Sequence, residues 1–241
     1  MNSRIHPEEW AAPKKVLARC GFVLQSVSME SNWAAEHLQV IRTLMERSAL
    51  YRRALAPIMI FNGVVGLAAA ALGWTLKVGS PRDFILFWAG VSVVAIAGSF
   101  LLVRRQALKE SEAFWSPPTR RVSQALLPPL AAGLMISAVM VMRAGSAPDN
   151  PGSLAGMLWL PLLWVVLYGC AFHAAGFFMP RGMRLFGWAF ILGGCGLFAA
   201  GFPDWVRPLD SAHGIMGFFF GGLHLAYGVY LYFTERRGNE P

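Results

Sequence analysis

The chain has 241 residues, of which 56 % are hydrophobic and only 14 % are charged, and its mean hydropathy is +0.48. This composition excludes an ordinary soluble globular domain and indicates a membrane protein. The formal net charge of +8 would suit a nucleic-acid-binding protein, but no recognition motif accompanies it, so we expect no nucleic-acid partner.

The first 53 residues are predicted to form a cytoplasmic amino-terminal segment. From Ser31 onward, apolar residues such as Leu38 and Ile41 recur at helical spacing, and charged residues occupy the rest of the wheel. This pattern predicts an amphipathic helix over residues 31–53, leading into the membrane. Its apolar stripe either lies in the lipid headgroup layer or docks a protein partner or a second copy of the chain.

Six uncharged apolar stretches follow, each about long enough to cross a hydrocarbon core of roughly 30 Å as a helix. They cover residues 54–76, 84–103, 122–142, 154–179, 185–202 and 211–234. None contains Asp, Glu, Lys or Arg, as expected when a charge at the bilayer centre costs about 2.5–3.5 kcal/mol. The sequence therefore predicts an all-α membrane protein, a six-transmembrane-helix bundle preceded by the amphipathic helix and followed by a cytoplasmic tail, residues 235–241.

Basic residues are divided unequally between alternate connections. The two termini and the second and fourth loops together hold 17 Lys and Arg, whereas the other three loops hold 4. The positive-inside rule then predicts a multi-pass protein of the cell (inner) membrane with both termini in the cytoplasm. The polar surface large enough for recognition would lie on that side, in residues 31–53 and the 104–121 loop.

Three histidines are the ionisable groups of the predicted spans, namely His173, His213 and His224. Such groups inside a membrane are functional candidates, so these three are the candidate cofactor-binding residues. His213 and His224 stand eleven residues apart, about 16 Å along a helix, which is too far to bind one iron together. His173 and His224 differ in predicted depth by about 10 Å, which disfavours a bis-histidine haem.

The alternative is that each imidazole is neutral and hydrogen-bonded to a neighbouring helix, with Tyr168, Ser137 and Asn62 as the predicted partners. The spans lack the carboxylate that coupled transport usually needs, and the chain has no HExxH or serine–histidine protease motif. We therefore expect no catalytic residue, no metal site and no bound cofactor, and a protein that is not an enzyme.

The last two spans are rich in glycine, including the GxxxG pair Gly217 and Gly221. Glycine lets helix backbones approach closely in a membrane. The pattern predicts either tight packing within the bundle or a homo-oligomer formed through these spans.

Four runs carry a family resemblance: LQVIRTLMERSALY before the first span, ALLPPLAAG in the third, WVVLYG in the fourth and GFFFGGLHLAYGVYLYFTERRG at the end. Together they resemble an uncharacterised family of bacterial six-span membrane proteins, with an IRxxMER helix before the membrane and GGLH in the last span. The resemblance covers residues 38–238 and places His224 at the GGLH position. The tail before Ser31 and the tip at Asp149 depart from that pattern.

Family members are often encoded beside a small winged-helix regulator, which implies a signalling role or a protein partner. The function expected from the residues and the resemblance together is that of a non-enzymatic membrane component, scaffold or signalling partner, in contact with the lipid bilayer and acting through its cytoplasmic face. A small-solute transporter and a haem-binding electron carrier are the alternatives.

Overall fold

The computed structural model describes residues 55–109, 115, 117–146, 151–201 and 208–237, and within them every secondary-structure element is helical. Helix α1 is Leu55–Thr75, followed by α2 (Pro81–Lys109), α3 (Pro117–Ser146), α4 (Pro151–Ala175) and α5 (Arg181–Ala200). The last helix has three parts, α6 (Pro208–Met216), a π-helical segment (Gly217–Leu223) and α7 (His224–Arg237). The predicted amphipathic helix, residues 31–53, lies outside the described residues.

Five of the described helices are long and apolar enough to cross a membrane, and the apolar helix within α4, Trp159–Ala175, is shorter. Large apolar side chains are widely exposed on α2 and α3, for example Val93 (65 %), Ile96 (65 %) and Leu134 (68 %). A soluble protein rarely leaves so much apolar surface in water. In this coarse form, an all-α bundle with helices that can span a membrane, the predicted fold class is confirmed.

Helix α4 lies at the centre of the bundle, where it packs against α3, α5 and α6. Two clusters of buried apolar residues surround it. The first includes Met59, Val165, Phe186, Phe190 and Phe219, and the second includes Phe84, Ile85, Trp88, Leu160 and Met216. Each cluster encloses one buried histidine, which makes these two regions the candidates for a functional site.

Glycines of helix α1 bring its backbone into direct contact with the backbone of the last helix. A methyl group added at Gly63 would lie 2.5 Å from the backbone nitrogen of Leu225, and one added at Gly66 would lie 2.5 Å from the carbonyl oxygen of Phe220. No real β-carbon sits that close to a backbone atom. These glycines of α1 thus set the distance between α1 and the last helix.

Helices α2 and α3 extend well past their predicted spans. Helix α2 continues six residues past Val103, and α3 begins five residues before Val122. The apolar stretch locates the part of a helix that can lie in hydrocarbon, but backbone hydrogen bonds continue the helix into the polar residues beyond it. The ends of α2 and α3 therefore project past the apolar core.

Helix α4 ends before residue 179, the predicted end of the fourth span. Helix α4 ends at Ala175, and a turn leads to Pro180 at the start of α5. Gly176 opens this turn, and a side chain there would meet the backbone nitrogen of Arg184 at 2.9 Å. The residues of the turn are apolar, so hydropathy alone does not mark the end of the helix. The helix has to end here for α5 to pack closely against it.

Candidate functional site

His224 is 1 % exposed, and both of its ring nitrogens contact polar atoms. Nε2 lies 2.7 Å from the hydroxyl of Tyr168 on α4, and Nδ1 lies 3.1 Å from the carbonyl oxygen of Phe219. A carbonyl oxygen only accepts, so Nδ1–H is the donor in the second bond, and the neutral ring then accepts the Tyr168 O–H at Nε2. The prediction that Tyr168 pairs with a buried histidine is confirmed for His224.

The π-helical segment positions this ring. In an α-helix the side chain of residue i+5 does not reach the carbonyl of residue i, whereas a π-helical turn is wider and changes which groups meet. Here the backbone N–H of His224 donates to the carbonyl oxygen of Gly221. The imidazole Nδ1–H of the same residue donates to the carbonyl oxygen of Phe219, five residues earlier. The imidazole thereby satisfies a backbone acceptor of the segment that precedes it.

Aromatic rings enclose His224. Its ring centroid lies 5.0 Å from that of Phe186 and 5.5 Å from that of Phe190, both edge-on, and 6.1 Å from Phe220, which is stacked. None of these neighbours can neutralise a positive charge, and a buried, unpaired charge is costly. The surroundings therefore favour a neutral imidazole held between Tyr168 and Phe219.

His213 occupies a separate aromatic cluster and is 2 % exposed. The indole Nε1–H of Trp88 donates to its Nδ1 at 3.2 Å, and the ring of Phe84 lies edge-on at 4.9 Å. Gly73 of α1 makes room for the imidazole, because a methyl group at that position would overlap the ring. Trp88 was not predicted as a histidine partner from the sequence, although an indole N–H inside a bundle itself needs an acceptor.

Replacing Trp88 with phenylalanine is expected to lower the free energy of unfolding by about 1 kcal/mol, because His213 loses a donor in a buried site. Trp74→Phe is the matched control, since Trp74 is 63 % exposed and its loss should change stability by less than about 0.5 kcal/mol. Both values can be measured by SDS-induced unfolding in mixed micelles. Equal effects of the two substitutions would contradict the assignment.

His173 differs from the other two histidines. Its ring lies edge-on to Trp188 at 5.3 Å and to Phe177 at 5.6 Å, and its Nδ1 is buried without a hydrogen-bond partner among the described residues. It joins neither the His213 nor the His224 cluster. One imidazole nitrogen beside two aromatic rings does not make a metal site, since the described residues contain no group of three His, Cys, Asp or Glu that could hold an ion.

Two of the three predicted histidine partners are wrong. Ser137 accepts the Trp164 indole N–H at 2.9 Å and donates to the Gly133 carbonyl at 2.7 Å, while Asn62 pairs with Ser99 at 3.1 Å. In both cases the hydrogen bond between helices is made with a tryptophan or serine side chain of the neighbouring helix. These bonds join α3 to α4 and α1 to α2, so they act as polar contacts between helices.

Two cavities in the described part of the bundle have apolar linings. One, of about 350 Å³, lies between α3, α4 and α5 beside Leu162, Val166 and Phe198. The other, of about 570 Å³, lies between α5 and the last helix beside Leu192 and Phe218. Neither lining includes a charged side chain, so neither could orient a polar substrate.

Within the described part of the chain, the site offers two buried histidines, one bonded to tyrosine and one to tryptophan, rather than a set of converging catalytic groups. No protein-family model matches the chain, and no curated protein or solved structure is significantly similar to it.

Proposed function

We propose that this protein is a six-span, non-enzymatic membrane component that binds a protein partner through its cytoplasmic face, residues 31–53 with the 104–121 loop. One observation carries the proposal: apart from His173, whose Nδ1 has no partner among the described residues, the polar side chains of the described interior bond to one another, and the described cavities have apolar linings. The pairs are His224 with Tyr168, His213 with Trp88, Asn62 with Ser99 and Ser137 with Trp164. We therefore expect a protein partner to bind at an end of the bundle and not in its interior.

The distribution of charge supports the orientation. The ends of α2 and α3 that face each other carry Arg104, Arg105, Lys109, Arg120 and Arg121, whereas the opposite helix ends carry Lys77, Arg82 and Arg143. The positive-inside rule assigns the more basic end to the cytoplasm, with both termini on that side and the protein in the inner membrane. Membership of the uncharacterised six-span family is part of the proposal and is supported by the GGLH motif that ends at His224.

The two alternatives receive less support. A solute transporter needs a polar path, and the described cavities are apolar. A haem carrier needs a free imidazole nitrogen, but both nitrogens of His224 are engaged, and His173 and His213 lie in separate clusters. A Soret band in the gently purified protein would nevertheless revive the haem alternative, and we expect none.

Photo-crosslinking in native membranes tests the proposal with matched positions. Trp115 at the basic end and Trp74 at the opposite end are both 63 % exposed, and Leu108 (71 %) matches Leu76 (66 %) in the same way. Benzoylphenylalanine at positions 108 and 115 should give adducts of discrete mass, and the same residue at positions 74 and 76 should not. Adducts at the opposite end alone, or none at any of the four positions, would overturn the proposal.

A further inference from the structure

The ends of α2 and α3 form a helical projection beyond the apolar core. The two helices have 29 and 30 residues, which at 1.5 Å per residue makes each about 44–45 Å long. A hydrocarbon core of about 30 Å holds only about 20 residues. The six residues of α2 after Val103 span about 9 Å, which is similar to the thickness of one headgroup layer, about 5–8 Å.

This projection, which we call the α2–α3 corner, carries five basic side chains. They are Arg104, Arg105 and Lys109 of α2 and Arg120 and Arg121 of α3. All five are exposed, and none forms an ion pair with another described residue. Trp115, in the connection between the helices, is 63 % exposed. Exposed tryptophan beside basic residues is typical of the interface between membrane and water.

Charges at the opposite helix ends have a different arrangement. Lys77, Arg82 and Arg143 are divided among three helix ends, and Asp83 stands next to Arg82. At the α2–α3 corner the described residues include no carboxylate; Glu110 and Glu112 follow in the connection, outside the described part. Five cations against two acidic residues leave this corner strongly positive, with nothing in the described structure to neutralise it.

We propose that the α2–α3 corner binds the headgroup of an anionic phospholipid. Guanidinium groups bind phosphate oxygens through two parallel hydrogen bonds, and four of the five cations are arginines. Each basic side chain near an anionic membrane surface strengthens attraction about fivefold. The corner projects only to headgroup depth, so a lipid reaches it more readily than a folded acidic protein does. This inference holds for either orientation of the chain. The corner lies within the 104–121 loop of the proposed protein-binding face, but binding of a lipid there does not require the protein partner.

Native mass spectrometry of the full-length protein in detergent tests the inference, with phosphatidylglycerol and phosphatidylcholine of identical acyl chains as probes. The triple variant R105Q/R120Q/R121Q removes three charges from the corner. The triple variant K77Q/R82Q/R143Q removes the same charge from the opposite ends. We expect the first variant to weaken the first phosphatidylglycerol association at least fivefold and the second to change it less than twofold, with phosphatidylcholine unaffected in both.

A charge-preserving variant, R105K/R120K/R121K, separates loss of charge from loss of structure. Its phosphatidylglycerol affinity should fall between those of wild type and the glutamine triple, because lysine keeps the charge but not the two parallel hydrogen bonds. The inference is overturned if the two glutamine triples weaken binding equally, or if wild type does not prefer phosphatidylglycerol. It is also overturned if polyglutamate binding falls in the corner variant while lipid binding does not, since the corner would then be a site for acidic protein.

Discussion

Gly66→Ala is expected to lower the free energy of unfolding by about 3 kcal/mol, near the upper end of the range for overpacked sites. The added methyl group would lie 2.5 Å from the Phe220 carbonyl oxygen and 2.7 Å from the Gly221 nitrogen. Both are backbone atoms of the π-helical segment, so no side chain can rotate out of the way. The two helices would have to separate, which breaks contacts along their length.

Gly90→Ala in α2 is the matched control, because nothing lies within 4 Å of a methyl group at that position. Alanine is the better helix former, so this substitution should be neutral or stabilise by up to about 1 kcal/mol. SDS-induced unfolding in mixed micelles measures both variants. A loss at Gly66 no larger than the change at Gly90 would show that α1 and the last helix are not in backbone contact.

His224→Leu is expected to cost about 2 kcal/mol. Leucine fills the space but leaves the Tyr168 hydroxyl and the Phe219 carbonyl without their partner, and a stranded buried polar group costs about 1–3 kcal/mol in water-soluble proteins and less in membranes. His224→Gln keeps a donor and an acceptor on the side chain. It should therefore lose about half as much stability or less.

Tyr168→Phe completes a double-mutant cycle with His224→Leu. Tyr168 and His224 share one hydrogen bond across 2.7 Å, so the two losses should not add, because the bond can be lost only once. Strictly additive effects would contradict the pairing. If His224 instead ligated a cofactor, the Gln and Leu variants would lose the cofactor's absorption equally, and glutamine would rescue nothing.

Helix positions followed from composition more readily than helix ends did. A membrane excludes charge, so uncharged stretches such as 84–103 mark where a helix can cross. The additional turns of α2 and α3 and the early end of α4 at Ala175 depend on backbone hydrogen bonding and on contact between α4 and α5, which hydropathy does not describe.

The π-helical segment had no recognisable signal in the sequence. GFFFGGL is apolar throughout, so neither α nor π periodicity stands out, and the wider turn is visible only in the contacts it makes. For the same reason, the sequence offers three possible histidine partners and no signal that distinguishes Tyr168 from the other two. The rotation of each helix about its axis and its depth in the membrane decide which polar groups meet. A helix that is apolar on every face gives no sequence signal for either quantity.

The proposal that the recognition surface lies in the cytoplasm depends on the orientation of the chain. Cysteine labelling tests it most directly, with single cysteines placed at Gly79 or Ser111 after Cys20, Cys170 and Cys195 have been replaced. A membrane-impermeant maleimide applied to spheroplasts should label position 79 at once and position 111 only after the membrane is opened. Labelling of position 111 in sealed spheroplasts, with position 79 protected, would contradict the account.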